Sequence, residues 1–469
     1  MSTSGSPPRA SRTVTSRSER VDVRSRIAKS PASFRLPRLP LPWAFRKHLR
    51  SFLRSSLWVV PAFSTLAAFL SVPLLRIVDR TLGFQFFRYS PDGARAVATI
   101  VSSAMLSFVV LFFSVLLLTV QIASSTLSPR IISRPFRSRA LKASLGLFVF
   151  TLIYSMAVVA RGTDGNIGQL ATAMVIVLTI ISICVFLYVV EHVSKELRPI
   201  TVMADVASEG AQVICEVYPI LLGPNCVPEC DPHQTLLGEP AQVIPHMGKP
   251  GVVQAVDIET LVDLATRAEC VIEVVPQVGD SVTRDDPVFR LYGGTTINSR
   301  KLLQHIALER ERTLEQDPAF AFRIIVDIAS KALSPAINDP TTAVLALDQI
   351  HNLLREVGIR RLDTGLVHDS KGNLRLIYRT PDWEDFVGLA VTEIRQFGAS
   401  STQVLRRMRA MLETLIPLLP PHRSAVLRQE LDLLKSTVDR GFATPADRDR
   451  ADLPDFQGLG GARKSSSSK

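Results

Sequence analysis

Four uncharged apolar runs between residues 57 and 190 dictate the solvent in which this chain folds. Residues 57–75, 96–129, 143–160 and 165–190 contain no Asp, Glu, Lys, Arg or His. At about 1.5 Å of rise per residue, helices of these lengths match a hydrocarbon core of roughly 30 Å. None of them keeps a polar face for water, which separates them from the amphipathic helices of soluble domains. The mean hydropathy of +0.21 over 469 residues agrees with a membrane class. The absence of ionisable groups inside the runs argues against proton pumps and many ion-coupled transporters, which need one at membrane depth.

Charge is distributed unevenly. Residues 1–56 hold 13 Lys and Arg against 2 Asp and Glu, so the tail carries the whole formal +11 and the remainder is neutral. This excludes a nucleic-acid footprint spread over a folded surface, and no nucleic-acid partner is expected. The tail lacks an apolar signal-peptide core and reads as a disordered segment against anionic lipid headgroups, with an organelle transit peptide as the alternative. The loop at 130–142 holds Arg134, Arg137 and Arg139 without an acid, whereas 76–95 and 161–164 mix signs. By the positive-inside rule this places both termini in the cytoplasm.

Five segments follow the tail. Residues 57–190 form a four-helix transmembrane domain, 191–248 a mixed connector, 249–294 a small β-rich module and 298–440 a helical cytoplasmic domain. The last, 441–469, is polar and reads as disordered. The fold class is thus membrane α-helical with a cytoplasmic α+β region. Within the module, Gly251 to Val256 reads as a strand and Asp257 as the cap of a short helix over 258–267. The rhythm of Val278-Gly-Asp-Ser-Val282 and Asp286-Pro-Val-Phe289 is similar to the barrel-sandwich domains of lipoyl and biotin carriers. No lysine lies between Gly251 and Gly293, so only a β-module without a prosthetic group is implied.

Three constellations carry candidate chemistry. In the second apolar run Thr99, Ser103, Ser107 and Ser114 share a helical face. They suit close helix packing, or the lining of a pore in a homo-oligomer. Cys226, Cys230 and His233 have a spacing that can hold zinc, against a plain reading as cytosolic thiols in a Pro-rich loop. Arg312, Asp317, Asp327, Lys331, Asn338 and Asp339 gather around two helix starts. Arg323, Asp327 and Lys331 are spaced by four, which allows two ion pairs along one helix. Asp339 followed by Pro340 reads as an N-cap and first helical residue. If instead the carboxylates converge, they suit a hard cation or a phosphate-bearing ligand.

The strings Glu311-Arg-Thr-Leu-Glu-Gln-Asp-Pro-Ala-Phe320, Val326-Asp-Ile-Ala-Ser-Lys-Ala-Leu-Ser-Pro-Ala-Ile-Asn-Asp-Pro340 and Ile394-Arg-Gln-Phe-Gly-Ala-Ser400 resemble a bacterial family of predicted membrane proteins. So do Arg54-Ser-Ser-Leu-Trp58 and Gln121-Ile-Ala-Ser-Ser-Thr-Leu-Ser-Pro-Arg130. The family is domain of unknown function 2254, and the likeness runs over about residues 50–415. It implies an inner-membrane protein and supplies no activity, cofactor or ligand. Neither a GxxxxGK[ST] loop, a GxSxG elbow nor an HExxH helix occurs in the chain. The leading expectation is a non-enzymatic membrane protein whose helices anchor a cytoplasmic binding or regulatory module, gating a pore being one use. The alternative is a membrane-bound, metal-dependent hydrolase built on Asp317, Asp327 and Asp339.

Overall fold

The computed structural model describes residues 56, 58–82, 90–126, 130, 138–161, 169–196, 198–222, 238–362 and 365–459. The basic N-terminal tail, apart from Ser56, lies outside them, as do Cys226, Cys230 and His233.

The apolar runs form α1 (Val59–Leu82), α2 (Pro91–Thr126), α3 (Arg139–Arg161) and α4 (Gln169–Glu196). Three of these, α2 to α4, are long and apolar enough to cross a membrane. In α1 the apolar part is shorter, Val59–Leu75, with Pro73 inside the helix. Of the four expected spans, three have the length and hydropathy to cross a membrane and the other, α1, is a shorter apolar helix. Seventeen residues rise only about 25 Å, less than a typical hydrocarbon core.

The third helix is the hub of this bundle. It packs against α1, α2 and α4, and half of its apolar stretch is buried, against about a fifth in α2 and α4. Gly146 lets α1 approach: a Cβ there would stand 2.6 Å from Val60 and 3.0 Å from Ser64. Phe108, Phe112, Phe148 and Phe186 interlock α2, α3 and α4 with ring centroids 4.9–6.5 Å apart. Thr151 and Ser182 join α3 to α4 through a buried hydroxyl pair at 3.2 Å. Small polar groups thus find partners inside the bundle, as an apolar surround requires.

After two intervening residues the chain enters α5 (Pro199–Val217). The β-rich part begins with β1 (Gln242–Pro245) and β2 (Gly251–Val256), then α6 (Ile258–Arg267) and β3 (Val271–Val274). It continues through β4 (Ser281–Val282), β5 (Pro287–Tyr292), α7 (Ser299–Leu303) and β6 (Ile306–Glu309). Asp257 caps α6 as expected, accepting from the Thr260 amide. The helical region follows: α8 (Pro318–Ala332), α9 (Pro340–Gly358), α10 (Trp383–Phe397), α11 (Thr402–Leu415), α12 (Pro421–Gly441) and α13 (Pro445–Ala451). Between α9 and α10 lies a hairpin, β7 (Leu366–His368) and β8 (Leu374–Tyr378).

That hairpin changes the domain picture. The five-stranded sheet has the order β1-β5-β3-β8-β7, with β8 parallel to β3, and the three-stranded sheet runs β4-β2-β6. The β part thus takes strands from outside 249–294 and is completed by a segment inserted in the helical region. Without β8, the Ile272 edge of β3 would be open, and open edges are a liability. One core of the helical region joins α5, α8, α9, α10, α11 and α12. Residues from 441 to 459, expected to be disordered, are ordered: Thr444 caps α13, and Arg406 and Gln403 bond the Leu453 and Gly458 carbonyls. These backbone contacts supply the ordering that a polar composition does not forecast.

Candidate functional site

Helix α8 starts at Asp317, whose side chain accepts from the Phe320 amide at 3.1 Å, and Pro318 pre-sets the first helical φ. Arg312 grips the same carboxylate with two bonds, Nε to Oδ2 at 2.6 Å and Nη2 to Oδ1 at 3.1 Å. Asp317 is 3% exposed. Burial pushes its carboxyl above the usual aspartate range, while Arg312 and the Phe320 amide oppose that shift. Arg312 lies flat on Gly279, where φ is +98° and a Cβ would sit 2.4 Å from the guanidinium carbon. The left-handed φ favours glycine there, and a side chain would have to displace the guanidinium from its place beside Asp317.

The Phe320 ring sits near two guanidiniums, Arg312 at 5.3 Å and Arg130 at 5.9 Å from its centroid. Arg130 belongs to the connection between α2 and α3, and its Nε lies 3.3 Å from Asp327. Asp327 also pairs with Arg323 one turn earlier, and Arg323 clamps Glu393 of α10 through two bonds of 2.5 and 2.6 Å. The adjacent Arg323 holds the Glu393 carboxyl below the usual glutamate range, and Glu393 in turn raises Arg323. Finally, Lys331 Nζ donates to the Ser124 carbonyl at 2.8 Å. Ser124 lies in the last turn of α2, where carbonyls lack intrahelical partners and a cation complements the helix dipole.

The expected cluster therefore divides. Asp327 and Lys331 tie α8 to the end of α2 and the connection after it, through Arg130 and the Ser124 carbonyl, whereas Arg312 and Asp317 pair with each other at the start of α8. The other two members belong to a turn. Asp339 caps α9, accepting from the Thr342 amide at 3.1 Å and hydroxyl at 2.6 Å. Asn338 is exposed, with φ +49°, and donates its backbone N–H to the Ser334 carbonyl. Asp317 and Asp339 stand at opposite ends of a helix of 15 residues, about 22 Å apart by its rise. Convergence of Asp317, Asp327 and Asp339 on a cation is thereby corrected. Among the described residues no group of three His, Cys, Asp or Glu side chains is placed to hold a metal.

Thr99, Ser103, Ser107 and Ser114 are exposed on the outer face of α2. Each hydroxyl donates to the carbonyl four residues earlier, at 2.8, 3.2, 3.4 and 3.0 Å. Packing within the chain falls instead to Ala94, Ala98, Val101 and Met105 on the other side of the helix.

Sequence reasoning missed Ser124, Arg130, Phe320 and Glu393 as members of this joint. A signal was present: three of the strings quoted above meet here, bringing Ser124 with Arg130, Arg312 with Asp317 and Phe320, and Asp327 with Lys331. The profile of a family described as a predicted membrane protein, domain of unknown function 2254, matches residues 54–414. The chain belongs to that family. Uncharacterized proteins of Mycobacterium bovis and of Mycobacterium tuberculosis strain H37Rv are each 27% identical over 421 residues, covering 86% of this chain and 80% of theirs. One from M. tuberculosis strain CDC 1551 is 26% identical over the same length. No solved structure matches the chain. The joint thus sits inside the stretch that defines the family.

Proposed function

We propose that this is a non-enzymatic, four-span protein of the bacterial inner membrane whose α+β region is a cytoplasmic binding or regulatory module coupled to helix α2. The observation that carries the reading is the Lys331 bond to the Ser124 carbonyl, backed by Arg130 on Asp327. Through them a shift or rotation of α2 is delivered to α8, and through Arg323 and Glu393 onward to α10. In this reading α1 completes a fourth span by drawing its flanks into the interface or locally thinning the bilayer. The basic tail of residues 1–56 lies along anionic headgroups on the same side. The outward hydroxyls of α2 suit a second copy of the chain, and a pore between copies would be gated by the same joint.

The test uses full-length protein in nanodiscs and hydrogen exchange of α2 and α8. Lys331→Met should raise exchange at both the last turn of α2 and the C-terminal half of α8. Loss of protection confined to α8 would show two parts that merely touch and would overturn the coupling.

A further inference from the structure

Contacts along the helical region sort its loops into two ends. Helix α5 begins two residues after α4 ends, and the C-terminal turn of α8 touches the C-terminal turn of α2 through Lys331 and Ser124. The start of α5 and the end of α8 therefore both lie where the chain leaves the membrane bundle. About three turns further along each, Gly210 meets Ala321 so closely that a Cβ would stand 2.5 Å from the alanine methyl, so the two helices run antiparallel. Helix α9 starts from the same end and finishes at the far one. There Arg423, at the start of α12, donates to the Val357, Gly358 and Arg360 carbonyls, and Trp383, at the start of α10, packs on Gly358. Helices α10 and α12 then return, and their final residues meet again where Gly441 approaches the Ala399 carbonyl. Val344, in the first turns of α9, holds Gly458.

The near end exposes several large apolar side chains. Ile200 is 47% exposed, Ile337 42%, Phe397 51%, Phe456 58% and Leu459 79%. They come from four separate places in the chain, the first turn of α5, the α8–α9 turn, the end of α10 and the C-terminal segment. Ile337 is presented by the 334–340 string itself: the left-handed Asn338 and the Asp339 cap fold the turn so that its apolar residue faces out. Singly, exposed apolar residues mean little; gathered on the one end from which two membrane helices emerge, they have a nearby apolar solvent.

We propose that this end of the helical region rests in the bilayer interface, with Ile337 and Phe456 as its inserted side chains and a lipid surface as its occupant. Continuity with the exits of α2 and α4 supports this occupant: the tether is two residues long at α5, which keeps the face close to where the apolar helices end. The joint then has a further role, since Lys331 sets the tilt of α8 and hence the depth of Ile337. The proposal rests on the membrane-spanning reading above.

An environment-sensitive fluorescent amino acid placed at Ile337, Phe456, Leu418 or Leu106 of the full-length protein tests it, one position at a time, in nanodiscs holding one copy. Quenching by lipids spin-labelled near the glycerol should be several-fold stronger at 337 and 456 than at Leu418, which lies at the far end. Iodide should show the reverse order. Equal iodide access at 337, 456 and 418 would overturn the proposal, and so would shielding seen only in nanodiscs holding two copies, which would assign the face to a second chain. The Leu106 probe, on the outer face of α2, reports the spanning reading separately. Quenching there by deep spin labels, with none at 337, would sink the interfacial contact alone.

Discussion

Gly210 is the position at which one atom decides whether two helices can meet. A Cβ would lie 2.5 Å from that of Ala321, and the Leu353 methyls stand 3.4 and 3.9 Å away. Gly210→Ala is expected to cost about 1–3 kcal/mol, the usual scale of overpacking. Combining it with Ala321→Gly should recover much of the loss, because the coupling is a single contact. Thermal unfolding of the purified protein, followed by near-ultraviolet circular dichroism, measures both. Glu393 gives a pH signature. Its carboxyl is held below the usual range, chiefly by Arg323, so its contribution is present above the ordinary glutamate value and disappears as pH falls through the lower folded value. Stability should decline on acidification below about pH 4.3, the unperturbed value. In Glu393→Gln the decline should be shallower, as read from midpoints collected at a series of pH values.

At the scale of elements, caps decide where the helices stop and how they are read. Asp257, Asp317, Asp339 and Asp382 each take an amide of the first turn, and each was open to reading as a local signal, since a cap needs only its own following residues. The end of α9 is different. It is closed by Arg423, fully buried and 65 residues away, whose guanidinium also stacks 5.5 Å from Trp383. Nothing within the 421–441 helix announces this partner. Arg423→Met would strip hydrogen bonds from buried carbonyls and is expected to destabilise by at least about 2 kcal/mol, whereas changes at the exposed Arg428 should be nearly silent. Paired thermal melts of the two variants distinguish them.

Over the whole molecule, the connection after α2 and the exit of α4 meet one and the same α+β region, so these ends share a side of the bundle. An even number of crossings would then return the N-terminal tail to that side, in keeping with its thirteen basic residues. A reporter fused after Lys469 is expected to be active in the cytoplasm and silent in the periplasm, and the opposite pattern would reverse the sidedness. Among the described residues, three helices have the length and hydropathy of spans, and the shorter apolar α1 packs on one of them, α3, at Gly146.

The sequence by itself determined the long apolar helices, the caps at Asp257 and Asp339 and the outline of β2 and α6, because periodicity, charge and capping act over a few residues. It also announced the strings that build the joint, without saying that they touch. Only the tertiary structure decided that β7 and β8 complete the sheet begun at β1, and that residues 441–459 are ordered. It likewise separated Asp339 from Asp317 and gave Lys331 a carbonyl in α2. The reason is physical: a carboxylate or an ammonium carries the same local pattern whether it caps a helix, binds a cation or ties two elements together. Which of these it does depends on distances between residues far apart in the chain, and packing alone sets those.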